Sequence, residues 1–110
     1  MVKTKTTEYI IPIRLISTAN QREHWAVKAK RMKAHRHAAI MVKKHKLPCT
    51  VEIIRCGKRF LDGDNLQNAC KGLRDGIADR LGVDDADPRV QWKYSQQKGE
   101  YQAIVRITAR

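Results

Sequence analysis

Asp62-Gly63-Asp64-Asn65-Leu66-Gln67-Asn68-Ala69-Cys70-Lys71-Gly72-Leu73-Arg74-Asp75-Gly76-Ile77-Ala78-Asp79-Arg80-Leu81-Gly82 is the stretch that decides the fold. Leu66, Cys70, Leu73, Ile77 and Leu81 recur at steps of three and four, which is one face of an α-helix. Asp64 or Asn65 supplies an N-cap, Gly82 a C′ residue, and the helix is predicted to end near Arg80. Upstream, residues 49–56 are β-rich, and Gly57-Lys58-Arg59 turns the chain toward the helix. Downstream, Asp84 to Pro88 is a loop, Val90 to Tyr94 alternates, and Gln102 to Ile107 resumes the β pattern after a hairpin at Lys98-Gly99. At the N-terminal side, residues 8–16 read as a strand that Pro12 confines to an edge. A break at Ser17 to Asn20 follows, then a helix from about residue 21 to residue 45, capped by Asn20 with Glu23 and stopped by Pro48. Trp25, Ala29 and Met32, extended by Ala39 and Val42, are its expected apolar stripe. The order β-α-β-α-β-β predicts a small two-layer α+β domain, a mixed sheet with helices packed on it. With no repeat or linker, residues 1–110 form one domain.

Charge is divided unevenly along these 110 residues, which carry 23 Lys+Arg against 11 Asp+Glu for a net +12. Residues 1–60 hold 15 basic and 3 acidic side chains; residues 61–110 hold 8 of each. The first half therefore attracts polyanions. Its predicted helix carries Arg22, Lys28, Lys30, Arg31, Lys33, Arg36, Lys43 and Lys44, and Lys58 and Arg59 follow in the next turn. Such a face would grip nucleic-acid phosphates without reading sequence. The bland alternative is a solvated helix surface. No apolar run reaches the length of a membrane span, and the stretch Tyr9 to Ile13 is too short for a signal peptide. Three irregularly spaced cysteines do not form a disulfide framework, so a cytoplasmic location is expected.

All seven aspartates fall between Asp62 and Asp87. A chain built only to hold phosphates gains nothing from such a cluster, because carboxylates repel them. A divalent ion between carboxylate and phosphate resolves the conflict. Asp62 and Asp64, two apart in extended backbone, would point to one side and converge on one cation. Lys71, seven residues after Asp64 on the helix, could stabilise charge at a phosphate. The competing reading treats these aspartates as ordinary caps and turns. The closing residues of an EF-hand are missing at their offsets. His24, His35, His37 and His45 lack the cysteine spacing of a zinc site and read as surface side chains, His35 and His37 as phosphate contacts. Trp25, Trp92 and Cys70 read as core residues, with base stacking the alternative for the tryptophans. Asp75 and Asp79 read as solvent-facing partners of Lys71 or Arg80.

The run Asp62-Gly-Asp-Asn-Leu66, the helix bearing Lys71 and Asp75, the loop Gly82-Val-Asp-Asp-Ala-Asp87 and the final hairpin resemble the RusA family of Holliday junction resolvases. The opening strand and Asn20-x-Arg22 are similar to the start of that family. The resemblance implies a homodimeric, Mg²⁺-dependent endodeoxyribonuclease, Mn²⁺ being the alternative ion, that nicks four-way DNA junctions symmetrically in recombination and repair. It also implies a bacterial or phage-infected host cell. Carried over by residue, it makes Asp62 and Asp64 metal ligands and catalytic residues. Asp87 is the third ligand by counting from Gly82 or back from Val90, and Asp85 is the third by a direct Asp-Asp match. The family lysine often follows the second aspartate by four residues. That position is Asn68 here, and Lys71 takes the role one turn later. The reading set against it is a non-catalytic basic DNA-binding protein of phage or plasmid type, with an RNA-directed nuclease on the same scaffold as a third.

Overall fold

A computed structural model describes residues 6–17 and 24–110. The elements are β1 (Thr6–Ile11), α1 (Trp25–Ala38) with a 3₁₀ turn (Ala39–Met41), β2 (Cys49–Gly57), α2 (Gly63–Leu81), β3 (Val90–Lys98) and β4 (Gln102–Ala109). The four strands form one mixed sheet in the order β1-β4-β2-β3. β2 and β3 are parallel, as a strand–helix–strand crossover through α2 requires, and β4 lies antiparallel to both β1 and β2. This is the expected small α+β domain.

One face of the sheet carries the core. Val51 and Ile53 of β2, Ala103, Val105 and Ile107 of β4, and Ile11 of β1 are buried there against α2. The whole predicted stripe of α2 is buried, together with Ala69 and Ala78. The opposite face is braced by a polar ladder across all four strands. Arg106 reaches Glu8 at 3.0 Å and Glu52 at 3.1 Å, and the Ser95 hydroxyl donates to Glu52 at 2.9 Å. Opposite charges on neighbouring strands stabilise the register they occupy.

α2 ends as its sequence predicts. Gly82 takes φ +73°, its N–H donates to Asp79 at 3.1 Å, and the Val83 N–H donates to Ala78 at 3.0 Å. That pair of bonds satisfies the last carbonyls and needs a residue at ease with positive φ. The start differs. The N-cap is Asp62, two residues ahead of the expected cap, and Leu66 N–H donates to the Asp62 carbonyl at 2.8 Å. β1 stops at Ile11 because Pro12 has no N–H to give the sheet, so residues 12–16 are not strand. β3 and β4 both run beyond the expected segments, to Lys98 and Ala109, and the hairpin expected at Lys98-Gly99 is not formed: β2 lies between the two strands and pairs with each, parallel to β3 and antiparallel to β4.

α1 departs most from expectation. It ends at Ala38, tightens into the 3₁₀ turn, and leaves helical geometry at Val42, whose side chain plugs into the core. Its cap is His24, whose Nδ1 accepts from Ala26 N–H at 3.2 Å, while the expected Asn20–Glu23 cap lies outside the described residues. The expected apolar stripe is split: Trp25 is 76% exposed and Ala29 is exposed, Met32 is half-buried, and only Ala39 and Val42 at its end are core. His35, expected on the surface, is buried. α1 docks by backbone proximity to two glycines of α2. A methyl group on Gly72 would lie 2.9 Å from the His35 Cβ and 3.1 Å from the Met32 carbonyl, and one on Gly76 would collide with the Arg36 carbonyl and Ala39. Gly76→Ala is therefore expected to lower unfolding free energy by about 1–3 kcal/mol in urea titration. Gly63→Ala, with nothing within 4 Å, is expected to be neutral or stabilising by up to about 1 kcal/mol.

Candidate metal and nucleic-acid site

Two side chains hold the loop that delivers Asp62. Arg55 alternates with Val51 and Ile53, which places it on the core face, 5% exposed. Its Nε donates to the Leu15 carbonyl at 2.8 Å and an Nη to the Arg59 carbonyl at 2.7 Å. Gln96 on β3 shares parity with Trp92 and Tyr94. Its side-chain amide accepts from Leu61 N–H at 2.7 Å and donates to the Leu61 carbonyl at 2.8 Å, copying a strand partner. Neither residue is singled out by motif. The signal available in the sequence was parity: a cation and an amide at core-facing positions of strands need partners.

Asp62 and Asp64 then sit on the first turn of α2, both exposed. The extended-strand convergence expected for this pair is replaced by helical geometry, since the helix already starts at Gly63. The Asp62 side chain does not accept a backbone N–H although it occupies the cap position. Among the described residues neither carboxylate has an ion-pair or hydrogen-bond partner, whereas Glu8, Glu52, Asp75, Asp79, Asp85 and Asp87 all have cationic partners. Asp84, whose carboxylate accepts only the Ala86 N–H, and Glu100 also lack a cationic partner among the described residues, but in a chain of net +12 Asp62 and Asp64 are two such carboxylates on one helical turn, open to an external cation.

The candidate third ligands are elsewhere. Asp85 folds back against Arg74, whose guanidinium donates to the Asp85 carbonyl at 3.0 Å and to the Tyr94 hydroxyl at 2.6 Å; the carboxylate itself is 3.6 Å from Nε. Trp92 Nε1 also donates to the Asp85 carbonyl, at 3.0 Å, so Trp92 is half-buried with its polar tip satisfied. Arg74 lies ten residues beyond Asp64, about 15 Å along the helix axis. Asp87 is held by Arg89 at 2.7 Å beside the start of β3. Among the described residues no three of His, Cys, Asp and Glu are grouped to hold an ion. The single pocket expected to unite Asp62 and Asp64 with Asp85 or Asp87 is therefore not formed within one chain. Its physical reason is the length and rigidity of α2, which keeps its two ends apart.

Lys71 projects from the same helix face as Asp64 and Asn68, about 10 Å along the axis from Asp64. Its Nζ is 3.8 Å from Asp75, the expected helical pair. Asp79 instead pairs with Arg36 of α1 at 2.6 Å, and Arg80 donates to the Val42 carbonyl at 2.9 Å. Of the basic residues, Lys28, Lys30, Lys33, Lys43, Lys44, Lys58 and Arg59 are exposed, Arg31 is half-buried, and Arg22 lies outside the described residues. α1 and α2 run past each other in the same sense. Lys28 and Asn68 border one cavity, Met32 meets Gly72 and Arg36 meets Gly76, so the start of α1 lies toward the acidic end of α2. Cys70 is core as expected, its thiol pushed up to about 12 by burial. No helix of the described residues is long and apolar enough to cross a membrane. No known protein family and no curated protein matches the chain.

Gln96→Ala is expected to cost about 1–2 kcal/mol and to speed amide exchange at Leu61, read by hydrogen–deuterium exchange. Hydrogen bonds from Arg89 hold the Asp87 carboxyl down at about 2. A depressed carboxylate stabilises the fold above its ordinary value near 4 and loses that contribution as pH falls through about 2. Arg89→Ala should return its NMR titration midpoint to the ordinary carboxylate range.

Proposed function

We propose that this protein is a divalent-metal-dependent endodeoxyribonuclease of the RusA type, a homodimer that nicks four-way DNA junctions. One observation carries the reading: Asp62 and Asp64 have no cationic partner among the described residues, and a strongly basic helix runs beside them. Magnesium suits such a place, since it commonly binds through one or two carboxylates and keeps waters and substrate phosphate oxygens as its other ligands. When bound, it would supply charge neutralisation at the phosphate and a more acidic water. Asp62 and Asp64 would hold it. Lys71 would face the negative charge of the phosphate, and Asp75 would orient the Lys71 ammonium. Lys28, Lys30, Lys33, Lys43 and Lys44 would grip the DNA arms, with Lys58 and Arg59 flanking the acidic turn. His24 and Trp25, stacked with ring centroids 5.6 Å apart at the exposed start of α1, add a surface on which a base can stack.

The separation of Asp85 and Asp87 from Asp62 and Asp64 favours a second reading, a non-catalytic DNA-binding protein whose acids are structural. One assay separates them. A synthetic four-way junction is incubated with the protein and Mg²⁺. The nuclease reading expects paired symmetric nicks from the wild type. It expects Asp62→Asn and Asp64→Asn to bind the junction and to cut at least about 100-fold more slowly. Tight binding with no cut in Mg²⁺ or Mn²⁺ selects the second reading. Both expect affinity to fall steeply with salt, with a log–log slope of about −4 or steeper if five or more phosphates are neutralised.

A further inference from the structure

Of the six aromatic residues, five are held by a polar or cationic partner. Tyr9 is hydrogen-bonded to His45, Trp92 to the Asp85 carbonyl and Tyr94 to Arg74, while Arg14 lies over Tyr101 and Lys98 over Phe60. Trp25 has no such partner among the described residues. Its indole stacks on the His24 ring, and the residue remains 76% exposed, more than any other large apolar side chain among them. The His24 imidazole is itself pinned, because its Nδ1 accepts the Ala26 N–H at 3.2 Å as the cap of α1. One face of the indole is thus backed by a fixed ring while most of its surface is open. On the same helix Lys28, Lys30 and Lys33 are exposed, with no ion-pair or hydrogen-bond partner among the described residues. α1 and α2 also keep one register along their crossing. Lys28 borders a cavity with Asn68, Met32 faces Gly72 and Arg36 faces Gly76, so a residue of α1 lies level with the residue forty places later in α2. Both helices rise by about 1.5 Å per residue, so the register carries on toward their N-termini. It sets Trp25 level with Asn65, beside Asp64 on the first turn of α2.

We propose that Trp25 is a stacking site for one unpaired nucleobase of DNA, standing level with the acidic turn, so that the protein favours strands whose bases are free of a duplex. Two chemistries select that partner. The unpartnered ammonium groups of Lys28, Lys30 and Lys33 attract a polyanion. The open indole takes a flat apolar face, and nucleobases are the flat faces that a polyanionic strand carries. Inside a duplex those faces are covered by the bases above and below. At a branch point, in a loop or in a single strand they are open. Stacking tolerates every base, so the site would select the structure of the DNA and not its sequence. This role rests on the DNA-binding reading above and needs neither metal nor cleavage.

The test is a fluorescence and affinity titration of the full chain without metal at low salt. A single-stranded oligothymidylate and a blunt duplex of mixed sequence are the probes. The single strand is expected to quench tryptophan emission saturably, and the duplex to bind with much less quenching. Trp25→Leu should abolish the quenching and weaken the single strand by about tenfold, and the duplex by no more than about twofold. Trp25→Phe, which keeps a ring, should fall between Trp25→Leu and the wild type. Because Trp25 is exposed, both variants should keep the wild-type urea midpoint. Equal losses for the two probes, or no loss in Trp25→Leu, overturn the proposal while DNA binding itself stands. Quenching that survives Trp25→Leu also overturns it, since that signal belongs to Trp92. So does a Trp25→Phe variant as weak as Trp25→Leu, because no ring face is then in use. A wild type that binds neither probe overturns it together with the DNA reading and leaves the indole to a protein partner. A wild type that shows the expected pattern and never cuts a junction ends the nuclease reading and leaves the stacking site standing.

Discussion

The backbone-to-backbone crossing of α1 over Gly72 and Gly76 is the constraint on which the rest of this molecule depends. Two glycines in the middle of a helix each cost about 1 kcal/mol relative to alanine. Here they remove the two side chains that would hold α1 away. The close approach lets α1 dock with little apolar surface of its own, so most of its perimeter is left to charge. Pairing of Arg36 with Asp79 and of Arg80 with the Val42 carbonyl closes the crossing at its far end. The result joins a cationic helix to the helix that carries the acids, with their N-terminal halves side by side.

That arrangement sorts the charges by function. Several acids are consumed locally: Asp79 at the helix crossing, Asp87 at the strand entry, Asp85 against Arg74, and Glu8 and Glu52 on the outer face of the sheet. These pairs are exposed or half-exposed and add little to stability individually. Their larger effect is subtraction. They neutralise acids away from the turn bearing Asp62 and Asp64, whose carboxylates have no such partner among the described residues.

The sheet, α2 and its glycine stop were legible because each rests on a local rule: a period of 3.6 residues, a period of two, and a residue at ease with positive φ. α1 was not legible in the same way. Its boundaries and inward face are set by what lies beneath, and the decisive residues, Gly72 and Gly76, belong to the other helix. Reading Trp25, Ala29 and Met32 as a buried stripe assumed that α1 docks through its own apolar side chains. The candidate site was legible in part. Proximity of Asp62 to Asp64 follows from adjacency, and the Lys71–Asp75 pair from helical spacing. The place of Asp85 and Asp87 depends on how far a rigid helix carries the chain, which no count of residues in a motif can reveal.

Between those two, the hydrogen bonds discriminate. Asp87 is gripped through its carboxylate, with Arg89 donating to both oxygens and its backbone N–H donating as well. Asp85 is gripped through its carbonyl, by Arg74 and Trp92, while its carboxylate only approaches the Arg74 Nε at 3.6 Å. Freeing Asp87 for a cation would forfeit the bonds that stabilise its charged form and that order the entry to β3. Freeing Asp85 would forfeit one long contact and leave its backbone anchored. The Asp85 carboxylate also borders an open cleft with Asn68 and Lys71, on the flank of α2 that leads toward Asp64. If a third carboxylate is recruited to the acidic turn, whether by movement of the loop or from a second copy, the chemistry of its present bonds selects Asp85.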